Sequence, residues 1–403
     1  MKTKTPNSPA FPVYIHACAM NSALGDTQQE SIKRLALGFS PDMCLESGWL
    51  NDGGKTVVGK VVSPLPEIDV DLTDKNTRNN RLALSALVQI KPQIEQAVSQ
   101  YGAERIAVIV GTSTSGIADG ETALAEKQKT GQLPEGYHYH QQEVGNLGEF
   151  VADYFKIDGP VYTISTACSS SGRVFLSAKR LLKAGIVDAV LVGGSDSLCK
   201  LTLNGFHGLE ALSNELCSPF SKNRHGINIG EAAAFMLLSR EKNSSGLALL
   251  GAGDSSDAHH ISAPHPEGKG AAEAMHKALN DAQLRTDQIG YINAHGTATK
   301  LNDAMEAKAI YALFSDKVAV SSTKPLTGHA LGAASILEAA LCWLLLEENL
   351  DLPVQINDGV YDPSLAPIRF VQDKEKLQKR AVLSNSFAFG GNNISLIFGY
   401  ADE

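Results

Sequence analysis

A short β-rich run that passes through small hydroxyl residues into a helix constrains this chain more than any other feature. Residues 161–182 read VYTISTACSSSGRVFLSAKRLL, in which the first four favour a strand and the apolar spacing from about Val174 favours a helix. Between them lies a sharp turn that carries Cys168. A thiol there sits near the positive end of a helix dipole and near unpaired backbone N–H groups, which favour a thiolate and can hold an oxyanion. Ala167, Ser169, Ser170 and Gly172 leave room for a substrate to reach the sulfur. The competing reading is a buried cysteine that only fills the strand-helix junction.

The same order of elements occurs twice. In the first half an apolar run at 106–110 leads into Gly111-Thr112-Ser113-Thr114; the Cys168 turn and apolar runs at 189–192 and 232–239 follow. In the second half a run at 289–293 is followed by Gly296-Thr297-Ala298-Thr299. A strand at 318–322 then leads into an apolar helix at 333–346, and strands at 381–383 and 394–399 close the series. Four echoes in one order predict a duplicated α/β unit with halves at 1–246 and 247–403. Unbroken apolar strands alternating with helices predict mainly parallel sheets covered on both faces, in a layered α/β/α/β/α body. Residues 71–100 read as one helix and 57–62 as part of a hairpin. In such sheets ligands sit beyond the strand ends, so the GTST, GTAT, Cys168 and His329 turns are expected to converge on one pocket.

Composition narrows the function. With 43% hydrophobic and 20% charged residues, the chain is an ordinary globular one. Its net charge of −9 argues against a nucleic-acid partner. Six cysteines without a C-x-x-C pair fit neither a zinc framework nor a disulfide framework, so a reducing, cytoplasmic setting is expected. The first twelve residues hold two lysines but no apolar signal-like run, and the most apolar stretch, 339–346, is too short for a membrane span.

Two histidines, His295 in Asn-Ala-His-Gly-Thr and His329 in Thr-Gly-His-Ala, follow strands of the second half and face a cysteine turn of the first. Lys324 adds a charge beside His329. A thiol with two imidazoles and no common metal-ligand spacing fits acyl transfer through a thioester. Imidazole N–H groups can stabilise an enolate, and the glycine-rich Phe387-Ala388-Phe389-Gly390-Gly391 turn can supply oxyanion amides. His259, His260 and His265 match no common zinc pattern and read as a pocket-lining loop.

TACSS at 166–170, NAHGTAT at 293–299 with Asn302, Asp303 and Glu306, KPLTGH at 324–329 and FGGNN at 389–393 together resemble the β-ketoacyl-acyl carrier protein synthases of the elongating type. The resemblance covers essentially the whole chain. It implies a thiolase-like five-layered fold from two duplicated halves, and decarboxylative Claisen condensation of a Cys168-bound acyl chain with a malonyl carrier thioester. Cys168, His295, His329 and Lys324 would be catalytic, and the amides of Cys168 and Phe389 would form the oxyanion hole. Thr297 and Thr299 would bind pantetheine, Phe387 and Phe389 would gate, and Asp303 and Glu338 would give structural support. The resemblance implies no cofactor beyond the carrier's phosphopantetheine and no metal.

The expected partners are an acyl carrier protein, docked with help from Lys75, Arg78 and Arg81, and a second subunit, either identical or a chain-length-factor-like homologue. Departures such as His16-Ala17-Cys18-Ala19 in the first strand, Ser221, Ile227 and Asn392 remove no catalytic group. They widen the expected setting from fatty-acid-like to polyketide or aryl-polyene biosynthesis. A chain-length factor or scaffold without turnover, and a thiolase, are the rivals. A thiolase needs a second cysteine near its end, and Cys342 lies inside an apolar helix segment.

Overall fold

The computed structural model describes residues 10–379 and 381–401, so most of the first twelve residues, read above for a signal, lie outside the described residues. Among the described residues the main sheet has eleven strands, ten of which fall into two sets of five. In the first half they are β1 (Val13–Ser22), β2 (Ile106–Gly111), β3 (Val161–Ile164), β4 (Ala189–Asp196) and β5 (Ala232–Ser239). In the second they are β6 (Leu247–Ser256), β7 (Tyr291–Asn293), β8 (Ala319–Ser321), β9 (Ala381–Phe387) and β10 (Asn392–Tyr400). The sheet order is β3-β2-β4-β5-β1-β6-β10-β9-β7-β8, with Arg369–Phe370 added at the β8 edge. Each half therefore runs third-second-fourth-fifth-first from its outer edge, and the echoes in the sequence fall on equivalent strands.

Strand direction differs from the expectation of mainly parallel sheets. In each half the two outer pairings are parallel and the next two antiparallel. The halves join through a short antiparallel contact, Val13 with Leu249 and Tyr14 with Ala248. Periodicity reports which faces are covered and carries no information on direction, so runs buried on both faces read as parallel.

Helices supply the other layers: α1 (Arg78–Leu87), α2 (Asn146–Phe155), α3 (Ser170–Lys183), α4 (Lys269–Ala282), α5 (Lys300–Phe314) and α6 (Ala334–Glu347). Alternate residues of one strand serve different cores, because side chains on a strand alternate between faces. Ala107 and Ile109 of β2 join α3 and α6 in the central core, while Val108 and Val110 join α1 and α2 outside. In the second half, Ile292 and Leu383 face α4 and α5. Every residue of α6 except Trp343 and Glu347 is buried, as a helix apolar all round must be. The layers are thus α1/α2, half-sheet, α3/α6, half-sheet and α4/α5.

Two local readings change. Residues 71–100 form a 3-10 segment (Val70–Lys75), α1 and a helix at Lys91–Tyr101, since the Thr77 side chain caps α1 and Pro92 starts the next helix. The strand Thr56–Gly59 pairs with Met43–Glu46 and, in parallel, with Ile229–Gly230, in a separate small sheet.

One close approach fixes the Cys168 turn. A Cβ on Gly111 would lie 2.4 Å from the Ser171 nitrogen and 2.7 Å from the Ser170 carbonyl carbon, so β2 can meet the start of α3 only as glycine. Gly111→Ala is expected to cost about 1–3 kcal/mol. Thermal denaturation checks this, and an unchanged Tm would show that the contact carries no strain.

Candidate active site

Hydroxyl groups hold the turn after β3. The Ser170 hydroxyl accepts from the Thr166 N–H at 2.9 Å and donates to the Ala167 carbonyl at 2.5 Å, while the Ser169 hydroxyl donates to the Thr166 carbonyl at 2.8 Å. They stabilise a left-handed conformation at Ala167, φ 53°, which a non-glycine residue adopts only when its surroundings enforce it. From α6, Ser335 donates to the Cys168 carbonyl at 3.1 Å. The sulfur is thereby delivered on a rigid corner.

His329 reaches that corner from the opposite half. A helical turn, Lys324–Thr327, and Gly328 at φ 68° lead into it, and its N–H donates to the Asn228 carbonyl at 2.7 Å. Its Nε2 lies 2.9 Å from the Cys168 sulfur. The His295 ring stands edge-on to the His329 ring, with centroids 5.4 Å apart. His295 follows β7, and the N–H groups of His295 and Gly296 donate to the two oxygens of Glu306 on α5 at 2.8 and 2.7 Å. Behind both rings Lys324, 1% exposed, pairs with Glu338 of α6 and lies 3.5 Å from His295 Nδ1.

Burial governs the electrostatics. It drives both histidines well below the usual imidazole range, and the Lys324 charge pushes the same way, so neutral rings are the resting form. Burial also pushes the Cys168 thiol up to about 11, although Lys324 and the backbone N–H groups of Phe389 and Cys168 pull it down. The turn was expected to favour a thiolate; desolvation outweighs the helix start and the amides, and a neutral thiol faces a neutral imidazole.

Cys168, His295 and His329 open onto a cavity of about 520 Å³ that Thr297, Thr299 and Phe389 also line. The Thr297 and Thr299 hydroxyls are 3.1 Å apart. Phe389 is half-buried and packs on Phe206 at 5.6 Å between centroids, whereas Phe387 is buried with its centroid 6.3 Å from that of His295. Phe206, His225 and Lys300 are also among the lining residues, and no motif in the sequence singled them out. Ser262, Ala263 and Pro264, between His260 and His265, contribute to the lining, in line with a pocket-lining loop.

Other expected groups sit elsewhere. The Gly111–Thr114 turn does not line the cavity. Buried Asp196 accepts from the Thr112 hydroxyl at 2.8 Å, the Thr114 N–H at 2.7 Å and the Ala333 N–H at 2.9 Å, so this turn braces the segment after His329. Cys342 is buried inside α6 and lines no part of the cavity, and burial raises its thiol further than that of Cys168. The three cations assigned to docking lie away from the cavity, each with an acidic partner, and Arg78 and Arg81 are partly exposed. Lys75 is buried with Asp74 and Asp153, Arg78 donates to Glu231 at 2.9 and 2.5 Å, and Arg81 pairs with Glu67 at 2.9 Å.

Asp303 lies at the base of the GTAT turn, accepting the Phe220 N–H at 2.8 Å and the Ala298 N–H at 3.2 Å. Burial pushes its carboxyl up to about 6 from 3.8, against these bonds and nearby Arg224. The folded chain then holds this proton more tightly than the unfolded chain. Its contribution to stability is complete below about 3.8 and is lost as pH rises through about 6. Asp303→Asn is expected to flatten the fall of Tm over that window; an unchanged pH profile would exclude Asp303 as its source.

The residues match two family models, Beta-ketoacyl synthase, N-terminal domain over 76–244 and Beta-ketoacyl synthase, C-terminal domain over 248–357. The chain is 32% identical to Nodulation protein E of Rhizobium meliloti, over 86% of this chain and 88% of that one. It is 30% identical to 3-oxoacyl-[acyl-carrier-protein] synthase 2 of Vibrio harveyi, over 96% and 98%. Among solved structures, a Xenorhabdus doucetiae ketosynthase in complex with its chain length factor is similar with a TM-score of 0.93 and 49% identity, over 96% of this chain and 98% of that one.

Proposed function

The chain belongs to the β-ketoacyl synthase family, and from that premise we propose that Cys168 is the acyl acceptor of a decarboxylative condensation run by His295, His329 and Lys324. The protein is an acyltransferase of the ketosynthase class with the thiolase-like fold. The observation that carries the residue assignment is the 2.9 Å contact between Cys168 sulfur and His329 Nε2 inside a cavity that also holds His295.

In the first step the sulfur attacks the acyl thioester of a carrier protein while its proton passes to His329 Nε2. The amides of Cys168 and Phe389 hold the tetrahedral oxyanion, and the proton leaves on the departing pantetheine sulfur. In the second step a malonyl thioester occupies the cavity. Lys324, as a donor to Nδ1 of His295, leaves the His295 proton on Nε2, from which it stabilises the thioester oxygen as carbon dioxide departs; His329 joins it as the Nε2–H tautomer, a proton having moved from its Nδ1 to its Nε2 through water. The enolate carbon attacks the acyl-cysteine, and collapse of the second oxyanion releases the β-ketoacyl carrier thioester and expels Cys168 as a thiolate, which takes up a proton from water. Thr297 and Thr299 bind the pantetheine arm, Phe389 gates the cavity with Phe387 beneath it, and Asp303 and Glu338 keep the two loops in place. No step calls for a metal or a bound cofactor.

We further propose an acyl carrier protein as substrate carrier and a ketosynthase-like second subunit, with this chain as the active member. The 49% identical ketosynthase was solved with its chain length factor. Strand β3 supports an association of this kind, because among the described residues it ends the sheet, and an edge strand can pair with another chain. We assign the chain to the cytoplasm, and among the described residues no helix is long and apolar enough to cross a membrane. The two halves, divided near residues 246 and 247, act as one catalytic unit.

Intact-protein mass after incubation with a panel of acyl-carrier thioesters tests the assignment. The expected result is a gain of one acyl group that disappears in Cys168→Ala. Acylation that persists in that variant sinks it. No gain with any donor, followed by acylation once a cysteine-less homologue is added, assigns the partner as obligatory.

A further inference from the structure

We infer that Cys168, His295 and His329 form a binding site for a soft divalent cation such as Zn2+, which inhibits the enzyme by occupying the sulfur. Among the described residues these are the one set of three such side chains whose donor atoms, the Cys168 sulfur and one ring nitrogen of each histidine, all lie within 4.8 Å of one another. A zinc ion takes thiolate sulfur at about 2.3 Å and imidazole nitrogen at about 2.0–2.1 Å. Donors around it are then about 3.5 Å apart, so small rotations of the three side chains bring them into place.

The mixed sulfur and nitrogen set is the one such ions prefer. Its three members come from three different turns braced by the fold: the hydroxyl-tied Cys168 corner, the Glu306-held His295 loop and the Asn228-held His329. All three side chains line the cavity, which can admit water or a substrate sulfur as a fourth ligand. Lys324 opposes a second cation nearby, but its charge is compensated by Glu338. On binding, the Cys168 S–H bond breaks, its proton passes to water, a metal–sulfur bond forms, and hydrating water leaves the ion.

Inhibition rests on the proposed acyl-acceptor role of Cys168; binding itself does not. The test titrates the purified full chain with Zn2+ in equilibrium dialysis and with Cd2+ by its thiolate-to-metal ultraviolet band, alongside acylation rates. One metal per chain is expected, with acylation blocked and then restored by a chelator. Cys168→Ala is expected to weaken binding by roughly 100-fold or more, and His329→Gln and His295→Gln by roughly 10-fold or more each. Circular dichroism checks that each variant is folded, and wild type acylated beforehand gives an independent control, because its blocked sulfur is expected to bind no metal. Absence of saturable binding, or binding undiminished in both Cys168→Ala and the acylated protein, overturns the inference. A chain that binds zinc but is never acylated retains the site and loses the acyl-acceptor reading; one that is acylated but binds no zinc does the reverse.

Discussion

His295→Ala is expected to leave acylation of Cys168 within a few-fold of wild type while lowering condensation by about 10²–10³-fold, the loss typical of one preorganised donor. His329→Ala is expected to lower both, by about 10²–10⁴-fold for the acylation step that needs proton transfer. The difference follows from position. His329 Nε2 touches the sulfur at 2.9 Å, whereas the Nδ1 of His295 is turned to Lys324 and its ring meets the His329 ring edge-on. Burial keeps both rings neutral, so each carries one N–H and one lone pair: His329 can accept the Cys168 proton at Nε2, and His295 can donate from Nε2 to a developing enolate. Rapid-quench mass measurement of the acyl-enzyme, with product formation followed in parallel, separates the steps. Loss of acylation in His295→Ala with normal acylation in His329→Ala would falsify the assignment of roles.

What the sequence made legible is what local chemistry determines. Small hydroxyl residues around Cys168 mark a turn whose strained residue, Ala167, has to be held by side-chain bonds, and those bonds are present. His295 and His329 each follow a strand of the second half, as Cys168 follows one of the first, so their convergence on Cys168 could be anticipated. Strand direction could not, because Ala232–Ser239 is equally apolar whether parallel or antiparallel to its neighbours. Nor could the fate of Gly111–Thr114, whose position depends on Asp196, a carboxylate more than 80 residues away. The intramolecular partners of Lys75 and Arg78 were not legible either, because Asp153 and Glu231 lie far from them in sequence. Local pattern locates a turn; long-range pairing decides what that turn faces.

The buried ion pair under the active site gives the largest expected effect on stability. Lys324 is 1% exposed and Glu338 2%, and one Glu338 oxygen has no partner even with the lysine present. Lys324→Met leaves a carboxylate in the core without a counter-charge, and breaking such a pair by removing one partner costs about 3–5 kcal/mol. The Tm is expected to fall by several degrees, and condensation is expected to fall as well, because His295 loses the group that holds its tautomer. The two effects have different origins, and Lys324→Met combined with Glu338→Leu separates them. An apolar pair of similar volume removes the stranded charge, so the double variant is expected to regain most of the stability. It restores nothing at His295 Nδ1, so condensation is expected to remain low while acylation through His329 survives. If condensation returned together with Tm, Lys324 would act only through folding. If Tm stayed low in the double variant, the cost would lie in packing around α6, and the pair would hold no net charge that the core needs balanced.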